Sequence, residues 1–128
     1  MKKLIIILIP VLISCESIDS PEWTLEMEKW KKDKNACEGY RNQNKSEVIN
    51  SKNYFMNWPE RKIVNIFGRP DRHRLSKRNQ KFYVYFLENG KQCDPASDEF
   101  GRYIQFRFDA IGYVNEIEIR NRFEVLTD

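Results

Sequence analysis

Apolar and polar positions over residues 58–70 set out the clearest element in the chain. Ile63, Ile66 and Phe67 recur at helical spacing behind Trp58-Pro59, with Glu60, Arg61 and Lys62 among them. Pro59 suits the opening of a helix, Gly68 the left-handed position after its last turn, and Pro70 forbids continuation. Upstream, Ser20-Pro21-Glu22 reads as another helix start, with Trp23, Met27 and Trp30 as its apolar stripe and Glu28/Lys32 as a pair on its polar side. That stripe reads as core packing, with an interfacial face near lipid as the second reading. Residues 37–50 carry a weaker helical pattern through Cys37, Tyr40, Asn44 and Val48, diluted by Gly39 and several Asn.

Beyond Pro70 the period changes to that of strands. Residues 81–87 are aromatic and β-branched and end at the turn signal Glu88-Asn89-Gly90. Residues 102–109 alternate, with Ile104, Phe106 and Phe108 on one face and Tyr103, Gln105 and Arg107 on the other. A tight connection, Asp109-Ala110-Ile111-Gly112, leads into a third strand over 113–120, where Val114, Glu116 and Glu118 oppose Tyr113, Asn115, Ile117 and Ile119. The order predicts an α+β fold, ααβββ, with N-terminal helices packed on one face of a three-stranded antiparallel sheet. One domain is expected over residues 21–128.

The first residues bear on the compartment. Lys2 and Lys3 precede an apolar run over residues 4–13. As a helix, residues 4–14 would reach only about 16 Å, against about 30 Å of hydrocarbon. The run suits a secretory signal, and Leu12-Ile13-Ser14-Cys15 resembles the lipobox of bacterial lipoproteins. That resemblance implies a signal peptide over 1–14, a diacylglyceryl group on Cys15 and a polar tether over 15–20, so that Cys15 anchors the chain to a membrane. An ordinary signal peptide with an incidental cysteine is the alternative. Glu16 after the cysteine leans toward the outer rather than the inner membrane.

Lys2 and Lys3 belong to the signal, so the 22 basic and 19 acidic residues leave the mature chain nearly neutral. Neither this charge nor the compartment points to nucleic acid. With Cys15 lipidated, Cys37 and Cys93 remain, and an even remainder in an oxidising compartment reads as a disulfide joining the helical region to the loop after the first predicted strand. Two free thiols or a metal pair are the alternatives; two cysteines with one histidine make a poor zinc site.

Sites for chemistry are sparse in the sequence. His73 lies among Arg and Lys without a nucleophile motif, and reads as a solvated loop residue. Asp94, Asp98 and Glu99 lack the alternation of a calcium loop and read as an acidic turn. No catalytic residue, metal, cofactor or small-molecule substrate is expected. The strongest patch is basic: Arg69, Arg72, Arg74, Lys77, Arg78 and Lys81 stand against a single acid, Asp71. It reads either as a solvated connection or as contact with anionic headgroups or an acidic partner.

Residues 58–71, through Ile63, Ile66-Phe67-Gly68, Pro70 and Asp71, resemble the helix end of the SmpA/OmlA lipoproteins, the group that includes the small E subunit of the outer-membrane β-barrel assembly machinery. The strand at residues 82–86 and the run Ile104-Gln105-Phe106-Arg107-Phe108-Asp109 with Gly112 follow the same layout, so the resemblance covers about residues 58–119. It implies a two-helix, three-stranded fold serving as a non-catalytic envelope adaptor for a protein partner. The N-terminal helix and the Cys37/Cys93 pair lie outside that pattern, and no partner-binding residue is carried over. An inhibitor or immunity-type domain against a secreted enzyme or toxin is the alternative function.

Overall fold

The computed structural model describes Pro10 and residues 21–121. Cys15, the lipobox around it and Ser20 lie outside the described residues. Three α-helices, α1 (Met27–Lys32), α2 (Tyr40–Asn50) and α3 (Glu60–Phe67), precede four strands, β1 (Arg72–Leu75), β2 (Lys81–Phe86), β3 (Tyr103–Phe108) and β4 (Val114–Arg120). The strands form one antiparallel sheet in the order β1-β2-β3-β4. The expectation of two helices on a three-stranded sheet is therefore corrected: the described residues hold three α-helices and four strands.

The additional strand is the stretch Arg72-His73-Arg74-Leu75, which sequence alone reads as part of a basic loop. Its register is Arg72↔Val84 and Arg74↔Phe82. The face it turns toward the sheet carries arginines rather than apolar residues, so period 2 is hidden from a hydrophobicity pattern. The Arg72 guanidinium sits 5.5 Å from the Phe86 ring centroid and that of Arg74 4.6 Å from Phe82. The guanidinium groups themselves cover the aromatic floor as cation–π partners, and the Arg74 Nε is buried there.

The first helix begins later than its sequence signals suggest. Residues 21–25 do not form an α-helix. Trp23 Nε1 donates to Ser51 Oγ at 3.0 Å, and Thr24 bonds through its N–H and hydroxyl to Glu47. These bonds fasten the segment across the end of α2. Helix α2 starts at Tyr40 because Asp33, 1% exposed, reaches forward from the preceding turn. Its carboxylate accepts the N–H groups of Glu38 at 2.7 Å and Arg41 at 2.8 Å, an N-cap supplied from a distance. Helix α3 ends where expected, at Gly68 with φ +81°.

One face of the sheet, here the inner face, packs on the helices. Trp30, Val48, Phe55, Ile63 and Phe67 meet Tyr83, Tyr85, Ile104, Phe106, Phe108 and Val114 in one cluster. Phe67 is its hub, with ring centroids of Phe55, Tyr85 and Phe106 at 5.3, 5.4 and 5.5 Å. Trp30 is fully buried, so the tryptophan stripe faces the core. The expected pairing of Val114 with Glu116 and Glu118 on one face is corrected. A register shift between Phe108↔Val114 and Arg107↔Glu116 turns Val114 inward beside Ile117.

Candidate functional site

The opposite, outer face of the sheet carries the feature the sequence least anticipates. Register places Arg74, Phe82, Arg107 and Glu116 in one row, and Arg72, Val84, Gln105 and Glu118 in the next. Phe86, Tyr103 and Arg120 form a third row. The floor is buried: Phe82 is 9% exposed, Val84 2% and Gln105 5%. Charged chains from the flanking strands roof it, with Arg107 and Glu116 paired at 2.6 Å and Arg120 and Glu118 at 2.6 Å. A hydrogen bond between the two carboxyl groups holds Glu116 above the usual carboxylate range and Glu118 below it, with Arg120 adding to the latter.

One end of this face is closed by a cystine. Cys37 and Cys93 are joined, with Cα atoms 5.5 Å apart, linking the segment between α1 and α2 to the loop between β2 and β3. That loop is pinched where Lys91 N–H bonds to Glu99 O at 2.9 Å. A Cβ on Gly101 would run into the Glu88 carbonyl, so only glycine fits there. Phe100 stacks on Phe86, and Ala36 packs with Val84, Phe86 and Tyr103 in a second small cluster.

At the seam between the two faces lies a buried ion pair. Arg41 Nη1 meets Asp71 Oδ2 at 2.6 Å, with side chains 1% and 3% exposed. Asp71 also accepts the N–H of Phe86 at 2.8 Å and of Asn35 at 3.0 Å, and Arg41 donates to Trp30 O and Phe86 O. Each charge is saturated by partners, the condition under which burial is tolerated.

The six cations of the basic stretch are dispersed rather than gathered. Lys81 turns to the inner side and pairs with Glu60 at 2.8 Å. Tyr83 donates its hydroxyl to the same carboxylate. Burial alone would raise Glu60; the bonds from Lys81 and Tyr83 outweigh it and hold the carboxyl below its usual value. Burial and Glu60 together push the Tyr83 phenol well above its ordinary value. Arg72 and Arg74 lie across the outer face, Arg72 bonding Asp71 O at 2.8 Å and Asn35 Oδ1 at 3.2 Å. Arg69 is exposed ahead of β1, and Lys77 and Arg78 stand exposed in the turn between β1 and β2.

His73 is part of β1 rather than of a loop; it is exposed, with its ring 5.1 Å from that of Tyr83. Asp94 Oδ1 accepts the Ala96 N–H at 3.0 Å, closing a plain turn. Among the described residues, no group of three or more His, Cys, Asp or Glu is placed to hold a metal ion, and no helix is long and apolar enough to cross a membrane.

The sequence reading missed the outer face as a unit. The alternation that set Tyr103, Gln105 and Arg107 apart from Ile104 and Phe106 was the available signal; the strand that completes the face, β1, was not visible. What the arrangement offers is a binding surface: fixed arginines and carboxylates on the sheet, with an edge at β1 that no other strand covers among the described residues. No protein-family model, no curated protein and no solved structure matches the chain.

Proposed function

We propose that the chain is a membrane-anchored lipoprotein that serves the cell envelope as a non-catalytic adaptor, binding a protein partner. The observation that carries this reading is the run from Lys2 to Cys15: a short cationic start, an apolar stretch too short to span a bilayer, then Leu-Ile-Ser-Cys. The resemblance of residues 58–119 to the SmpA/OmlA lipoproteins supports the adaptor role. The Cys37–Cys93 disulfide agrees with an oxidising compartment, where such a bridge persists. A lipid on Cys15 would hold the domain at a membrane surface, the outer membrane before the inner.

Mass spectrometry of the mature N-terminus tests the anchor. The expected product starts at Cys15 and carries diacylglyceryl and acyl (palmitate-class) mass, and Cys15→Ala leaves the precursor uncleaved at that point. A mature chain with unmodified Cys15 overturns the lipoprotein.

One observation favours the second reading, an inhibitor of a secreted enzyme or toxin. At the β3–β4 connection Ile111 is 79% exposed, on a tip where Asp109 Oδ1 accepts the N–H groups of Ile111 at 3.1 Å and Tyr113 at 2.9 Å. A rigid turn presenting one aliphatic side chain suits insertion into a cleft.

A further inference from the structure

Strand β1 is an edge whose outward backbone groups have no strand beside them among the described residues. Ser76 N–H bonds to Gln80 O at 2.8 Å, and the register continues through Arg74↔Phe82 and Arg72↔Val84. Hydrogen-bonded pairs alternate along an antiparallel ladder, so Arg72 and Arg74 turn their backbone groups toward β2. His73 and Leu75 therefore turn theirs outward. Natural edges are usually masked by shortness, charge or a covering element. This one is short and charged, and all its charge is of one sign.

We propose that β1 receives an extended acidic strand from a partner protein, adding a fifth strand to the sheet. This rests on the adaptor reading and names the chemistry of its partner. An added strand alternates faces as β1 does. Its side chains on the outer face would lie beside Arg72 and Arg74, and those on the other face beside the exposed His73 ring and Leu75, which is 64% exposed. A hollow of about 450 Å³ lined by Arg74, Leu75, Ser76 and Lys77 opens at the same place. The fitting segment thus carries carboxylates at alternate positions with apolar residues between them.

Charge decides between occupants. The one acid of the basic stretch, Asp71, is engaged by Arg41, and among the described residues no carboxylate pairs with Arg72, Arg74, Lys77 or Arg78. A second copy of β1 would set Arg72 and Arg74 against their own likes, which is destabilising across a strand pair. An anionic lipid surface would satisfy the charges but not the outward N–H and C=O groups of His73 and Leu75. An acidic strand satisfies both.

The test uses the full purified chain in detergent micelles and a short fluorescent peptide alternating Glu and Val. A peptide of the same composition with its Glu and Val in separate blocks is the control. The alternating peptide is expected to bind more tightly, and its binding to protect the His73 and Leu75 amides from hydrogen exchange. His73→Pro removes one outward donor and leaves the bonds to β2 in place; it is expected to weaken binding about fivefold. Lys77→Gln with Arg78→Gln should weaken it at low salt and not at high salt. Circular dichroism verifies that both variants fold, and His73→Ala, which keeps the N–H, should bind as wild type does. Equal binding of the two peptides, unchanged binding by His73→Pro, or binding only to phosphatidylglycerol vesicles overturns the proposal. In cells, a crosslinked partner recovered equally by wild type and His73→Pro overturns the edge and leaves the adaptor reading standing. Peptide binding through His73 with no crosslinked envelope partner supports the edge and overturns that reading.

Discussion

The inner and outer faces of the sheet are both closed to water, but different parts of the chain close them. On the inner side Phe67, Trp30, Phe55 and Val48 arrive from helices and turns and meet Tyr85, Ile104 and Phe106. On the outer side the cover comes mostly from the strands' own side chains, with Arg72 and Arg74 laid over Phe86 and Phe82 and Arg107 held to Glu116. The inner contacts exist only when helices and sheet have docked. The outer ones need the strand register and, at the Phe86 end, Ala36 and Phe100 from the two segments that the cystine ties together. Close packing should therefore hold the inner face rigidly, whereas a roof of long charged chains can adjust around a defect.

Removing one phenylalanine from each face gives the largest effects and separates them. Phe67→Ala takes out the ring that contacts Trp23, Trp30, Phe55, Tyr85 and Phe106, and should cost about 4 kcal/mol in denaturant unfolding. Phe82→Ala removes a ring covered mainly by Arg74, which can settle into the space, and should cost about 2 kcal/mol. Equal losses would mean the two faces are packed alike.

The same contrast explains what could be read from sequence. Inner-face elements announced themselves: Ile63 and Phe67 at helical spacing, Ile104, Phe106 and Phe108 at period 2, and Gly68-Pro70 as a stop. Each signal is local and apolar. Strand β1 was hidden because its sheet-facing positions are arginines, whose burial depends on Phe82 and Phe86 arriving from another strand. The early helix start at Ser20-Pro21 was misleading because Trp23 and Thr24 are held by Ser51 and Glu47, partners distant in sequence. The bridge between Cys37 and Cys93 was legible from compartment and arithmetic, although sequence gave no geometry for it. The open edge at β1 could not be inferred before β1 itself was known.

The cystine offers a smaller and more local way to break the comparison. Its 56-residue separation predicts a loop-entropy contribution of about 4 kcal/mol, and measured bridges of this kind commonly deliver about 3. Cys37→Ala with Cys93→Ala should lower stability by that amount. It should also speed amide exchange at Lys91 and Asp94, in the loop over the outer face. The amides of Tyr85 and Ile104, in the centre of the sheet, should rise only with global unfolding. If loop and sheet amides accelerate together, the cystine supports both faces as one unit.

The smallest predicted effects have opposite signs on the two sides. Glu60 sits at the inner margin, with its carboxyl held below its ordinary value by Lys81 and Tyr83 despite partial burial. A lowered folded value means that its stabilisation is present above the unfolded value and is lost as pH falls through the folded one. Glu60→Gln should therefore lower the melting temperature at neutral pH and flatten the acid side of the stability curve. Glu116, on the outer face, is held above 4.5 by its hydrogen bond with Glu118. Its stabilisation is present at low pH and is lost as pH rises through the raised value. Glu116→Gln, whose amide can donate to Glu118 at any pH, should leave the melting temperature at neutral pH unchanged or raise it. Its lost pairing with Arg107 lies in a partly exposed setting, where such pairs contribute at most about 1 kcal/mol. Thermal melts of both variants from acid to neutral pH read the two signs directly. A fall in stability with Glu116→Gln as large as that with Glu60→Gln would show that the charged roof supports the fold as strongly as the docked helices do.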